Sequence, residues 1–125
     1  MYVIHDPHPG TAHTPVQRQR YDETRHAVTE LFRAAQHEFR RANELDNRGD
    51  DNPLTSLERL ELASLCSALA DAFDRAADTW NAYLPTLPIT AAYRQQALDL
   101  RDAAELNTAL AEIAPATADA DPFTR

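Results

Sequence analysis

Glycine and cysteine are scarce in this chain of 125 residues, and lysine is missing from it. The single cysteine, Cys66, excludes an internal disulfide, and nothing else in the chain requires an oxidising compartment. No catalytic motif, phosphate-binding loop or complete set of metal ligands can be recognised. These absences leave little room for enzymatic chemistry, so we expect a protein that is not an enzyme and that needs no cofactor.

Long hydrophobic runs are missing as well. No apolar stretch approaches the roughly 20 residues that a helix needs to cross a bilayer, so we expect no membrane span. The first residues, Met1 to Pro7, do not show a basic segment followed by an apolar one, and they therefore do not resemble a secretory signal. We expect a cytoplasmic protein.

Alanine and leucine supply most of the apolar content, which reaches 43% of the chain, whereas aromatic residues account for 7%. Because alanine and leucine lead the scale of helix propensity and β-branched residues are sparse, this composition favours helices over strands. A chain of this length forms one domain and can bury a core without disulfides or a structural metal.

The net charge of −8 is unevenly distributed along the chain. Residues 1–49 hold seven arginines and seven acidic residues, whereas residues 50–125 hold five arginines and thirteen acidic residues. A net-acidic second half disfavours nonspecific binding to nucleic acid or to an anionic membrane there, and it permits a basic partner.

Helix start and stop signals divide the chain. Pro15 suits the first position of a helix, and Thr55 with Glu58 forms a capping box at the start of another. Pro85 and Pro88 end that second helix. The apolar periodicity between these signals predicts three amphipathic helices, at about residues 15–45, 55–84 and 90–114.

Short turns between the predicted helices make neighbours antiparallel, so the predicted fold is all-α, an elongated antiparallel three-helix bundle with up-down-up topology. Residues 1–13 are predicted to form an extended N-terminal arm, because Pro7, Pro9 and Gly10 exclude a helix there. Residues 115–125 are small and polar and are predicted to form a flexible C-terminal tail.

Three finer predictions concern the helices and the first connection. Residues 46–52 are predicted to form a polar loop after the first helix. On the third helix, Ile113 is predicted to face the core, and Asn107 falls at the centre of the inward face. A buried amide at that position needs a hydrogen-bond partner and would fix the register between helices.

Two leucines fall outside the predicted core stripes. Leu60 lies opposite the stripe of the second helix, and Leu98 lies between Arg94 and Arg101 on the outer side of the third. Each is a candidate contact for self-association or for a protein partner, although isolated exposed leucines are common on protein surfaces.

Arginines recur along the first helix at gaps of seven, eight and seven residues, at Arg18, Arg25, Arg33 and Arg40. This spacing places all four on one flank of a helix. Such a stripe is consistent with a solvated face, with a contact to an acidic protein surface, or with a grip on nucleic-acid phosphates. Nucleic acid is the least favoured of the three, because Asp22 lies on the same flank and no aromatic residue interleaves.

Acidic residues form a further candidate surface on the second helix, where Asp71, Asp74 and Asp78 are predicted to lie opposite the core stripe. An acidic face can mimic the DNA backbone and thereby inhibit a nucleic-acid-binding protein. A solvated helix face is the simpler interpretation of the same pattern.

Histidine does not complete a metal site. His5, His8 and His13 lie in the predicted arm at a spacing that matches no structural zinc pattern. Glu23 and His26 have the spacing used in di-iron bundles, but the second and third predicted helices contain no histidine to complete such a site. We therefore predict no metal and no small-molecule ligand.

The function predicted from these features is that of a non-enzymatic helical protein–protein interaction module, such as an adaptor, an accessory protein or an assembly component that also self-associates. Two alternatives remain open. One is an acidic regulator or inhibitor of a nucleic-acid-binding protein, and the other is nucleic-acid binding through the arginine stripe of the first helix. A protein partner or a second copy is expected, and a membrane is not.

Overall fold

The computed structural model describes residues 15–115, and this part of the chain is all-helical, without a strand. The all-α prediction is confirmed at that level. The predicted number of three helices is wrong, because four are present: α1 (Pro15–Ala34), α2 (Gln36–Asp51), α3 (Ser56–Tyr83) and α4 (Pro88–Ala111). The predicted arm, and the predicted tail beyond residue 115, lie outside the described residues.

The first predicted helix, 15–45, is interrupted at Ala35, where the backbone takes φ −91° and ψ 5°. No proline or glycine lies within a turn of this position, so the local sequence does not prescribe the break. Phe32 and Phe39 lie on either side of it, and their ring centroids are 5.1 and 6.0 Å from that of Phe73 in α3. Both rings therefore pack against one partner on either side of the interruption.

The segment 46–52 is also different from its prediction, because α2 continues through it to Asp51 instead of giving way to a polar loop. Leu45 and Leu54 are almost completely buried, and this burial offsets the low helix propensity of the aspartates and the glycine between them. Gly49 permits the packing of Leu54, since a Cβ at Gly49 would lie 3.3 Å from Cγ of that leucine.

The predicted start of α3 is confirmed. The hydroxyl of Thr55 accepts a hydrogen bond from the backbone N–H of Glu58 at 3.2 Å, and Oε1 of Glu58 accepts from the N–H of Thr55 at 2.9 Å.

The last helix ends earlier than predicted, because α4 stops at Ala111. Ile113 therefore lies in the turn beyond the helix and is 80% exposed, so its predicted place in the core is wrong.

Small residues repeat every seven positions where α3 meets α4, and all of them are buried: Ala63, Ala70 and Ala77 on α3, and Ala97, Ala104 and Ala111 on α4. Because alanine projects only a methyl group, helices that meet along such stripes can pack closely. The register is antiparallel: Oγ of Ser56 donates to the carbonyl of Ala111, and the N–H of Ser56 donates to the carbonyl of Pro115 at 2.8 Å. This register brings Ala70 level with Ala97.

Aromatic side chains fill the space between α1, α3 and α4. The ring centroid of Tyr93 lies 5.5 Å from those of both Phe32 and Phe73, and that of Tyr21 lies 5.9 Å from Trp80. Burial in this cluster raises the pKa of Tyr93 to about 12. The contacts also show that α1 runs antiparallel to α3, since Tyr21 near its start lies beside Trp80 near the end of α3.

Candidate interaction surface

Asp71, Asp74 and Asp78 lie at the contact between α3 and α4. Nη2 of Arg94 donates to Oδ1 of Asp78 at 2.5 Å, and its Nη1 lies 3.4 Å from Oδ1 of Asp74. Arg101 reaches Asp71 at 3.1 Å and Asp74 at 2.7 Å. Asp71 and Asp78 are exposed and Asp74 is half-buried, so the three aspartates lie on the outer rim of α3 beside α4, where the sequence did not predict their pairing with the arginines of α4.

These ion pairs engage both arginines of α4, since Arg94 and Arg101 are the only basic residues in that helix. The hydrogen bond from Arg94 to Asp78 raises the pKa of its guanidinium, and the one from Arg101 to Asp74 does the same. The three aspartates consequently face cations of their own chain, and they form a poor docking site for an external basic partner.

Acidic residues near the start of α3 are also paired internally, in this case with α2. Nε and Nη2 of Arg41 each donate to one carboxylate oxygen of Glu61 at 2.8 Å, and this bidentate contact lowers the pKa of Glu61. Arg48 forms an ion pair with Glu58 through Nη2. The two ion pairs join α2 to α3 and neutralise both glutamates within the chain.

The second half of α4 carries acidic residues without such counter-ions. Asp102, Glu105 and Glu112 make no ion pair within residues 15–115. Asp99 accepts a hydrogen bond from Nε2 of Gln95 at 2.9 Å and is likewise without an arginine in that range. No basic residue occurs between positions 102 and 115, so the charges that this part of α4 contributes have one sign.

Exposed apolar side chains concentrate beside that acidic surface. Of the seven large hydrophobic residues exposed within the described ranges, four lie where α3 begins and α4 ends. They are Leu57 (74% exposed), Leu60 (47%), Leu106 (58%) and Ile113 (80%), and we call them the end patch. The two hydrogen bonds made by Ser56 tie these helix ends together, so the end patch lies at one end of the bundle.

Only one of the two leucines singled out in the sequence belongs to the end patch. Leu60 is part of it, whereas Leu98 is equally exposed but lies about 12 Å before Leu106 along α4, at the helical rise of 1.5 Å per residue. Leu57, Leu106 and Ile113 were not recognised from the sequence. The same criterion that flagged Leu60 applies to Leu57 and Leu106, because both fall outside the core stripes.

The arginine stripe is divided between two helices by the break at Ala35. Arg18, Arg25 and Arg33 lie on α1 and Arg40 lies on α2, and all four are exposed. Arg33 pairs with Glu30 of its own helix at 2.6 Å. The other three form no ion pair within the described part of the chain, so this surface is a basic one with little apolar character.

Asn107 has the partner that its predicted position requires. Its Oδ1 accepts a hydrogen bond from Nη1 of Arg59 on α3 at 2.9 Å, and its Nδ2 donates to the carbonyl of Ala103 at 2.9 Å. Asn107 is buried, and the contact with Arg59 helps to fix the register of α3 and α4.

Cys66 is buried in α3, and burial raises the pKa of its thiol, which makes it a poor nucleophile.

Metal ligands do not converge in the part of the chain that the structure describes, where no group of three or more His, Cys, Asp or Glu side chains could hold an ion. His26 is an exposed residue of α1. His5, His8 and His13 lie outside the described residues. An open depression beside the start of α1 is lined, among the described residues, by that one helix.

Comparisons with known proteins do not add a relative. No family model, no curated protein and no solved structure matches this chain.

None of the four helices combines the length and the apolar character needed to pass through a lipid bilayer. The class to which the structure assigns residues 15–115 is therefore the all-helical one, and the interpretation of function depends on the surface.

Proposed function

We propose that the chain is a non-enzymatic helical protein–protein interaction module, an adaptor, accessory protein or assembly component. The observation that supports this proposal is the concentration of exposed apolar side chains in the end patch. Isolated exposed leucines need no explanation, whereas several large apolar side chains exposed at one end of a bundle are typical of a protein contact. The bundle beneath it already has a closed core, so these side chains are available to another molecule.

The proposal is tested by removing the end patch without disturbing the fold. The double variant Leu106→Ser, Ile113→Ser replaces two exposed residues, so its helix content and thermal unfolding should stay close to those of the unaltered protein. The matched control is Leu98→Ser, which removes a leucine of similar exposure from the same helix.

Each protein is purified untagged from its own host and analysed by native mass spectrometry. The unaltered protein and the Leu98→Ser control should carry a protein partner or a second copy, and the double variant should have lost it. An unaltered protein that is monomeric and carries nothing would contradict the proposal, and so would a partner that the double variant retains.

A second candidate function, an acidic regulator of a nucleic-acid-binding protein, is supported by the unpaired carboxylates on α4. Charge reversal at Asp71, Asp74 and Asp78 is a poor test of it, because it would break the contacts with Arg94 and Arg101. Neutralising Asp102, Glu105 and Glu112 tests it without that complication. Regulation by charge alone should disappear in this variant and at high salt, and it should survive in Leu106→Ser, Ile113→Ser.

A further inference from the structure

We infer that the end patch and the carboxylates beside it bind a basic amphipathic helix of another protein. This inference rests on the proposed function, since it names the chemistry of the partner for the same surface. It depends on three features of the described residues: the spacing of the apolar side chains, the charge around them and the absence of matching features elsewhere on the chain.

The apolar side chains of α4 have the spacing of a helix-packing face. Leu106, Ala109 and Ile113 follow one another at three and four residues, and the N–H of Ile113 donates to the carbonyl of Leu110 at 3.2 Å, so the turn after α4 continues that face. A partner helix packs against such a row with its own apolar residues at positions i, i+3, i+4 and i+7. Leu57 and Leu60 on α3 are exposed at the same end of the bundle.

The charges that α4 itself places along this row are all negative, and the nearest cation of α3, Arg59, donates to the amide of Asn107. Asp102 precedes Leu106 by one helical turn, Glu105 precedes Ala109 by one turn, and Glu112 adjoins Ile113. The arginines that could have neutralised them, Arg94 and Arg101, are engaged with aspartates of α3. A partner therefore gains most when its apolar stripe is flanked by lysine or arginine, because opposite charges at the rim increase the association rate and the selectivity.

A second copy of this chain is a poorer match for the same surface. If two end patches met about a twofold axis, carboxylates would face carboxylates, and like charges across an interface oppose association. The basic surface formed by Arg18, Arg25 and Arg40 has the right charge, but Val16 is the only large hydrophobic residue exposed on α1 or α2. No surface within residues 15–115 combines both properties, so we assign the partner to another protein.

The test uses three synthetic peptides of about 16 residues, which is about four helical turns. The first has leucines at positions i, i+3, i+4 and i+7 of each repeat with lysines on its flanks. The second keeps the leucines and replaces lysine by glutamate, and the third contains the residues of the first in an order without helical periodicity. Binding to the full chain is followed by fluorescence anisotropy of the labelled peptide at low and at moderate salt.

The basic amphipathic peptide should bind on the order of tenfold more tightly than either of the others, and its affinity should fall as salt is added. Its binding should be lost in Leu106→Ser, Ile113→Ser, weaken on the order of tenfold in Asp102→Asn, Glu105→Gln, Glu112→Gln, and stay unchanged in the control Asp22→Asn.

Four outcomes would overturn the inference. Equal binding of the acidic peptide would remove the role of charge, and equal binding of the aperiodic peptide would remove the amphipathic helix. Sedimentation of the unaltered protein as a dimer that Ile113→Ser dissociates would identify a second copy as the occupant. A partner from the host that is lost in Leu106→Ser, Ile113→Ser, although no peptide binds, would leave the proposed function in place and refute only the helical, basic partner.

Discussion

Replacing Ala70 by leucine should force α3 and α4 apart. Ala70 has no exposed surface, and the register set by Ser56 and Ala111 brings it level with Ala97, which is equally buried. A leucine adds three carbon atoms where two helices approach along small residues. Overpacking of this kind costs about 1–3 kcal/mol. For a domain of this size, each kcal/mol corresponds to a change in Tm of about 4–8 °C, so we expect Tm to fall by about 5–20 °C.

The assay is thermal unfolding followed by far-ultraviolet circular dichroism, together with urea unfolding followed by the fluorescence of the buried Trp80. Ala82→Leu is the matched control, because it makes the same replacement on the exposed side of α3. Its effect should stay within about 0.5 kcal/mol. If Ala70→Leu were as stable as Ala82→Leu, the close contact between α3 and α4 would be refuted at this position.

Three further predictions concern single side chains. Asn107→Ala removes the acceptor of the Arg59 hydrogen bond and should lower the free energy of unfolding, measured in urea, by about 1–3 kcal/mol. Asn107→Asp keeps an acceptor oxygen and should lose less of this free energy. Equal losses in both variants would show that the acceptor oxygen does not matter. The pKa of Glu61 is lowered by Arg41, so this pair contributes stability above the ordinary pKa of glutamate and loses it as pH falls through the folded value. Glu61→Gln should therefore reduce the acid-induced loss of stability, and an unchanged pH dependence would contradict this. Burial raises the pKa of Tyr93 from 10.0 to about 12. The stability that the neutral phenol contributes is therefore fully present below pH 10 and declines as pH rises towards 12. Ultraviolet titration should show a late-ionising tyrosine that is absent in Tyr93→Phe, and its persistence in that variant would exclude Tyr93 as the source.

The candidate surface was only partly predictable from the sequence. Leu60 could be recognised because it lies outside a clear helical stripe, and Leu57 and Leu106 could have been found in the same way. Ile113 could not, since its spacing continues the core pattern of the third predicted helix, and only the end of α4 at Ala111 removes it from the core. The convergence of these residues at one end depends on the antiparallel register, which no local pattern specifies.

The sequence by itself determined the helical class, the capping box at Thr55 and Glu58, and the need of Asn107 for a partner, because propensity, capping and hydrophobic periodicity act within a few residues along the chain. Tertiary structure alone decided the break at Ala35, the helical course of residues 46–52 and the pairing of Asp71, Asp74 and Asp78 with α4. Phe73 against two rings and the pairing of Arg94 and Arg101 with α3 are contacts between distant segments, whereas Leu54 packs over Gly49 after the chain leaves α2. Such contacts can outweigh local preferences, since those amount to less than about 1 kcal/mol per residue apart from proline.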